Sequence, residues 1–197
     1  MTTSPDGGGA IGSRRANVKI CVLGESTQEK LELIERFVLR RFDDTYIASL
    51  FSGGPARRTL KLGSKNGELV SVEMTLWNVQ SPASVQGLDE PFDFSGVDGI
   101  LGVCDATRID SLQGLAESVR ATLARTGAKP LVLVANKRWP EQQAKVREKD
   151  LAKVAAAYRC PYFFTTLTGG ENVEPAFRKL AELVVRDLPV RGASSGE

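Results

Sequence analysis

Two uninterrupted apolar stretches limit what this chain can fold into. Residues 97–106 (VDGILGVCDA) and 131–136 (LVLVAN) lack the alternation of apolar and polar positions. A strand with one wet face alternates; a continuous apolar run is typical of a strand covered on both faces. Between them, residues 110–126 repeat apolar side chains at helical spacing, with Leu112, Leu115, Val119 and Leu123 on one face. Lys129-Pro130 ends that helix, because proline cannot continue the backbone ladder. Buried strand, helix, buried strand predicts parallel pairing through a helical crossover.

The remaining segments extend this pattern. Residues 17–24 (NVKICVLG) read as an apolar strand ending in glycine. From about Glu29 to Arg41 the period turns helical, with Leu31, Ile34, Phe37 and Val38 three and four apart. Segment 42–56 has no period and contains Ser-Gly-Gly-Pro, so it reads as a loop. Residues 58–62 and 69–77 are strand-like around GSKNG, whose Asn66-Gly67 is a hairpin signal. A charged helix over 148–158, a short strand over 160–166 and an amphipathic helix over 172–187 complete the chain. The order predicts an α/β fold: a mostly parallel six-stranded sheet with helices on both faces. One domain is expected over 16–188, between tails at 1–15 and 189–197 that read as disordered. Ligands of such sheets bind at the carboxyl ends of the strands, here Gly24, Trp77-Asn78, Asp105, Asn136 and Thr165-Thr166.

Composition excludes several chemistries. The chain has no histidine, which removes His-based catalysis and His-ligated metal. Its net charge of +2, from 26 basic and 24 acidic residues, gives no electrostatic reason to expect nucleic acid or an anionic membrane. Cys21, Cys104 and Cys160 match neither a zinc ligand set nor a Cys-x-x-Cys pair. They are expected as buried, reduced thiols, which suits a cytoplasmic location. No apolar run approaches the roughly 18–20 residues that cross a bilayer, and no lipidation motif is present, so no membrane anchor is expected.

The residues then resemble the Ras superfamily, and its Rab branch most closely. The stretch from Gly24 to Tyr46-Ile47, including Arg36-Phe37, aligns without a gap with a Rab phosphate loop, first helix and switch region. Gly99-Ile100 with Asp105-Ala106-Thr107 resembles the family's central strand, and Asn136-Lys137 the start of its guanine motif. Phe163-Phe164-Thr165-Thr166 and Gly170-Glu171-Asn172-Val173 resemble its last strand and the start of its last helix. The resemblance covers about residues 16–187 and implies the Ras-like phosphate-loop NTPase fold.

Its functional positions are altered. A phosphate loop reads G-x-x-x-x-G-K-[ST], with backbone N–H groups, a lysine on the phosphates and a hydroxyl on Mg²⁺. This chain reads Gly24-Glu25-Ser26-Thr27-Gln28-Glu29-Lys30-Leu31. Glu29 replaces the second glycine and sets a negative charge near phosphate oxygens, a repulsion of roughly 1–4 kcal/mol at about 4 Å. Leu31 offers magnesium no oxygen. Asn78, Ser81 and Pro82 stand where the family has Asp, Gly and the water-orienting Gln; Ser49 keeps the switch hydroxyl, followed by Phe51 instead of Gly. Trp139 replaces the Asp that accepts both guanine N–H groups, and Thr166-Leu167-Thr168 stands for Ser-Ala-Lys.

Gly24, Lys30, Asn136, Lys137 and Thr166 are therefore the residual nucleotide-site positions, with no catalytic and no metal-ligating residue expected. The resemblance implies a degenerate domain, a pseudo-GTPase without a required cofactor. It would serve as a protein-interaction or signalling and trafficking module, with a protein partner meeting segments 42–58 and 78–95. Phe51, Leu88 and Phe92 are the candidate apolar contacts. The alternative is a divergent switch that still binds GTP or GDP with Mg²⁺; a third reading is another nucleotide or small anion with Trp139 stacking on it. For single residues, Lys30 reads as a solvated lysine near Glu29 or Glu25, or as an anion ligand at a helix N-terminus. Asn136 reads as a tie between loops, Trp139 as a loop cover, Trp77 as core packing, and Arg57, Arg58 and Lys61 as a solvated strand face.

Overall fold

A computed structural model of the chain describes residues 14–39, 54–63, 69–79 and 92–188. Its elements are β1 (Arg14–Leu23), α1 (Thr27–Leu39), β2 (Ala56–Gly63), β3 (Leu69–Val79), β4 (Gly99–Asp105), α2 (Ile109–Thr126), β5 (Leu131–Lys137), α3 (Glu148–Tyr158), β6 (Tyr162–Thr166) and α4 (Val173–Asp187). The sheet order is β2-β3-β1-β4-β5-β6. Among the described strands, only the β2–β3 pair is antiparallel; all other neighbours are parallel. The six-stranded, mostly parallel α/β architecture is the one the apolar runs predict.

Why both faces are covered is visible in β1. Ile20 and Val22 point into a core with Leu33, Ile34 and Phe37 of α1 and Phe177 and Leu180 of α4. Cys21 and Leu23 point the other way, into a second core with Leu112, Leu115 and Val119 of α2 and Leu151 and Ala155 of α3. Successive strand side chains alternate between faces, so a strand facing two cores must be apolar at every position. Burial pushes the Cys21 and Cys104 thiols up to about 12 and Cys160 up to about 11, which keeps them protonated near neutral pH.

β1 and β3 run beyond the bounds expected from the sequence, and one residue of β2 faces the other way. β1 begins at Arg14, where Arg14 and Arg15 pair with Val70 and Ser71, so these two arginines belong to the sheet and not to a tail. They escape a periodicity reading because this end of β1 pairs with β3 alone and keeps one partly exposed face. β3 runs on to Val79. Arg58 corrects the solvated-face reading of β2. Arg57 and Lys61 are exposed, but Arg58 lies on the inward face with Leu60 and Leu62, its side chain only 8% exposed. There it donates to the Phe37 carbonyl, pairs with Glu174 at 2.8 Å and lies 4.3 Å over the Phe37 ring, itself stacked on Phe177. Among the described residues, no helix is long and apolar enough to cross a membrane. The expected tails, the Asn66-Gly67 turn, Ser49, Ser81, Pro82 and most of segments 42–58 and 78–95 lie outside the described residues.

Candidate functional site

The carboxyl ends of β1, β4 and β5 and the start of α1 border a cleft of about 250 Å³, lined by side chains including Glu25, Glu29, Glu32, Asp105, Arg108, Asn136 and Arg138. Gly24 lies beside it, where β1 leaves the sheet against β4. A Cβ there would meet the Val103 carbonyl oxygen at 2.5 Å, so only glycine lets β1 and β4 lie this close. The following turn enters α1 through Ser26-x-x-Glu29, the spacing of a capping box. The Ser26 Oγ accepts the Glu29 N–H at 3.2 Å, so one of the helix's free N–H groups is satisfied by the chain itself. This signal was readable in the sequence and was missed there.

Lys30 is neither solvated nor paired with Glu29 or Glu25. Its side chain is 1% exposed, and its Nζ donates to the Val79 carbonyl, 2.5 Å away at the end of β3. Burial pulls its ammonium down to about 8. Glu29 turns into the cleft instead, where its Oε1 accepts from the Asn136 amide at 2.9 Å. Asn136 is fully buried, and its own amide oxygen accepts from the Thr165 hydroxyl at 2.8 Å. One side-chain relay thus ties α1 to β5 and β6, which is the tying role the sequence suggested for Asn136. Burial pushes the Glu29 carboxyl up to about 7; the nearby Asp105 and Glu32 carboxylates add to the rise, while the Asn136 bond and Arg108 oppose it.

Glu32 is a site residue that sequence reading overlooked. It is 3% exposed and accepts from Arg138 at 2.9 Å and Gln28 at 3.0 Å. Its spacing from Glu25 and Glu29, on one side of a helix start, was the available signal. Asp105 is held by its own turn, accepting from the Thr107 N–H at 2.8 Å and hydroxyl at 2.7 Å. Lys137 stands outside the cleft lining and donates to the Pro140 carbonyl at 2.8 Å. Thr166 is buried at the end of β6, its N–H bonded to the Glu171 carbonyl at 3.2 Å. Of the predicted positions, Gly24, Lys30 and Asn136 converge around the α1 start, whereas Lys137 and Thr166 serve neighbouring turns. The Trp139 side chain is 41% exposed, so it covers less of its loop than expected. Asn78 donates to the Thr27 carbonyl at 3.2 Å, but among the described residues its buried Oδ1 has no hydrogen-bond partner.

Four carboxyl groups, from Glu25, Glu29, Glu32 and Asp105, line this cleft against two guanidiniums, from Arg108 and Arg138, and even with Glu29 protonated the carboxylates outnumber the cations. That balance has the wrong sign for a polyphosphate, and the lysine best placed to correct it is committed to a backbone carbonyl. Leu31 adds no oxygen for a metal. Among the described residues, the donors of this cleft do not match a magnesium nucleotide.

A parallel sheet whose first strand ends on a closely packed glycine, with a helix rising from the next turn and Asn-Lys at the end of β5, is the layout of a phosphate-loop NTPase-like domain. Residues 19–186 match the Ras family, and the chain belongs to that family. Its relatives include the Ras-related protein Rab-27B of Bos taurus, 24% identical, with 91% of this chain and 90% of that protein aligned. The Ypt/Rab-type GTPase ypt7 of Schizosaccharomyces pombe is 25% identical over 90% of this chain and 86% of its own length. The Ras-related protein Rab-13 of Rattus norvegicus is 26% identical over 90% and 84%.

Proposed function

We propose that this Ras-family domain works as a protein-interaction module of a signalling or trafficking assembly and does not run a magnesium–GTP cycle. The observation that carries the reading is the double use of the phosphate-loop side chains. Glu29 projects into the cleft and is held by Asn136, and Lys30 is spent on the Val79 carbonyl. A nucleotide would have to displace both contacts and bring its phosphates beside a carboxylate. The partner-binding face is assigned to segments 42–58 and 78–95, by resemblance to the family. Phe92, expected there as an exposed contact, packs half-buried against Trp77 and Phe94, with Lys19 above its ring. The second reading, a divergent GTP- or GDP-binding switch, is favoured by the retained, closely packed Gly24 and the buried Asn136 at the end of β5.

Thermal denaturation with millimolar GTP and Mg²⁺ separates the two. A ligand that binds only the folded state raises the melting temperature by mass action. The interaction-module reading expects no shift beyond that of the same concentration of magnesium and a non-nucleotide polyphosphate. A GTP-specific, saturating rise would transfer the assignment to the switch.

A further inference from the structure

The opposite end of the strands, before β5 and β6, carries a second cleft with the reverse charge. The turn before β5 and the turn before β6 meet the last turn of α4 around a space of about 300 Å³. Lys129, Arg159 and Arg186 line it, against the single carboxylate of Asp187. Arg186 uses its Nε on Asp187 at 3.0 Å. Among the described residues, the side chains of Lys129 and Arg159 have no hydrogen-bond or ion-pair partner. Unpaired cations gathered at a concave surface are unlike the alternating charges of an ordinary solvated face.

Three further features distinguish the cleft. Its walls are fixed by backbone bonds: the Pro130 carbonyl accepts the Ile100 N–H at 2.9 Å, and the Pro161 carbonyl accepts the Leu133 N–H at 3.0 Å. The Tyr158 hydroxyl donates to the Ala116 carbonyl at 3.0 Å, pinning the end of α3 to α2. Arg159 itself ends α3 with φ 52° and ψ 42°, the left-handed conformation that glycine adopts without strain. Capping alone calls for glycine or asparagine; this position instead places a long cation at the rim. The floor, from Pro130, Leu131, Pro161 and Leu183, is apolar.

We propose that this cleft binds the phosphate group of a small organic phosphate. Three cations against one carboxylate match a group carrying about −1.5 to −2 charge, and guanidinium donors fit its oxygens in pairs. The apolar floor receives the carbon body of the ligand. The site is independent of the nucleotide cleft and of the function proposed for it.

Titration with glycerol 3-phosphate, followed by backbone amide NMR at constant ionic strength in chloride, tests the assignment. Saturating shifts confined to residues 128–131, 158–161 and 183–187 are expected, with affinity about tenfold weaker in Arg159→Gly, as for loss of one charge-assisted contact. Lys129→Gln should weaken it similarly. Arg159→Gly should fold at least as stably as the parent, since glycine relieves the left-handed strain, so loss of binding there is not loss of structure. Non-saturating shifts, shifts centred on residues 24–30, or affinity unchanged in both variants would overturn the proposal.

Discussion

Replacing Glu29 with glutamine should make the domain more stable, and only above a defined pH. The native carboxyl is raised from 4.5 to about 7, with burial as the main cause. In the unfolded chain the group returns to its ordinary value. Between those two values the native state holds a proton that the unfolded state has released, so this group's contribution to stability falls as pH rises through the window. Each pKa unit is worth about 1.4 kcal/mol, so the full rise costs on the order of 3 kcal/mol above pH 7 and nothing below about pH 4.5. Glutamine keeps an oxygen for the Asn136 amide to donate to, and brings an N–H₂ group towards the neighbouring carboxylates. Urea denaturation of parent and variant from pH 5 to 8 reads the difference directly. The gap should open with rising pH in favour of Glu29→Gln and reach about 2–3 kcal/mol at pH 8. A gap that stays constant with pH, or a variant less stable at pH 8, would refute the placement of this carboxyl in the cleft.

Three other substitutions probe the same framework by chemical denaturation. Asn136→Ala removes the middle of the relay and strands the Thr165 hydroxyl and the Glu29 carboxylate; a loss of about 2–4 kcal/mol is expected. A loss below about 0.5 kcal/mol would mean the relay is not formed. Gly24→Ala drives a Cβ onto the Val103 carbonyl oxygen, backbone that cannot swing aside, and should cost about 2 kcal/mol or more. Arg58→Ala removes the contacts to Glu174 and to the Phe37 ring and carbonyl, with an expected loss of about 2–3 kcal/mol. A surface-like value near zero would return Arg58 to the solvated face.

The fold was legible because its signals are local. The apolar runs at 97–106 and 131–136 became β4 and β5, since a strand between two helical layers has no polar position to spare. The site was only half legible. Altered residues such as Glu29 and Leu31 stood out against the family's motif, but their partners lie far along the chain. Lys30 meets Val79, Glu29 meets Asn136, and Arg58 meets Glu174. Periodicity places a residue on a face and says nothing about which distant carbonyl or carboxylate folds against that face. Helix α1 shows the consequence: its buried set includes Lys30, Glu32 and Glu35, charges that an amphipathic reading assigns to water. Arg58 was misread for a related reason, because a basic cluster was treated as one face although strand neighbours alternate.

If the proposed function holds, Glu29 and Lys30 close off the turn after β1 that would otherwise receive phosphates. Calorimetric titration of the nucleotide-stripped protein with GTP and GDP, with and without Mg²⁺, tests it most directly. No binding heat is expected for either nucleotide, and no nucleotide in the protein as purified. Saturable binding at micromolar concentration that strengthens with Mg²⁺ would contradict it.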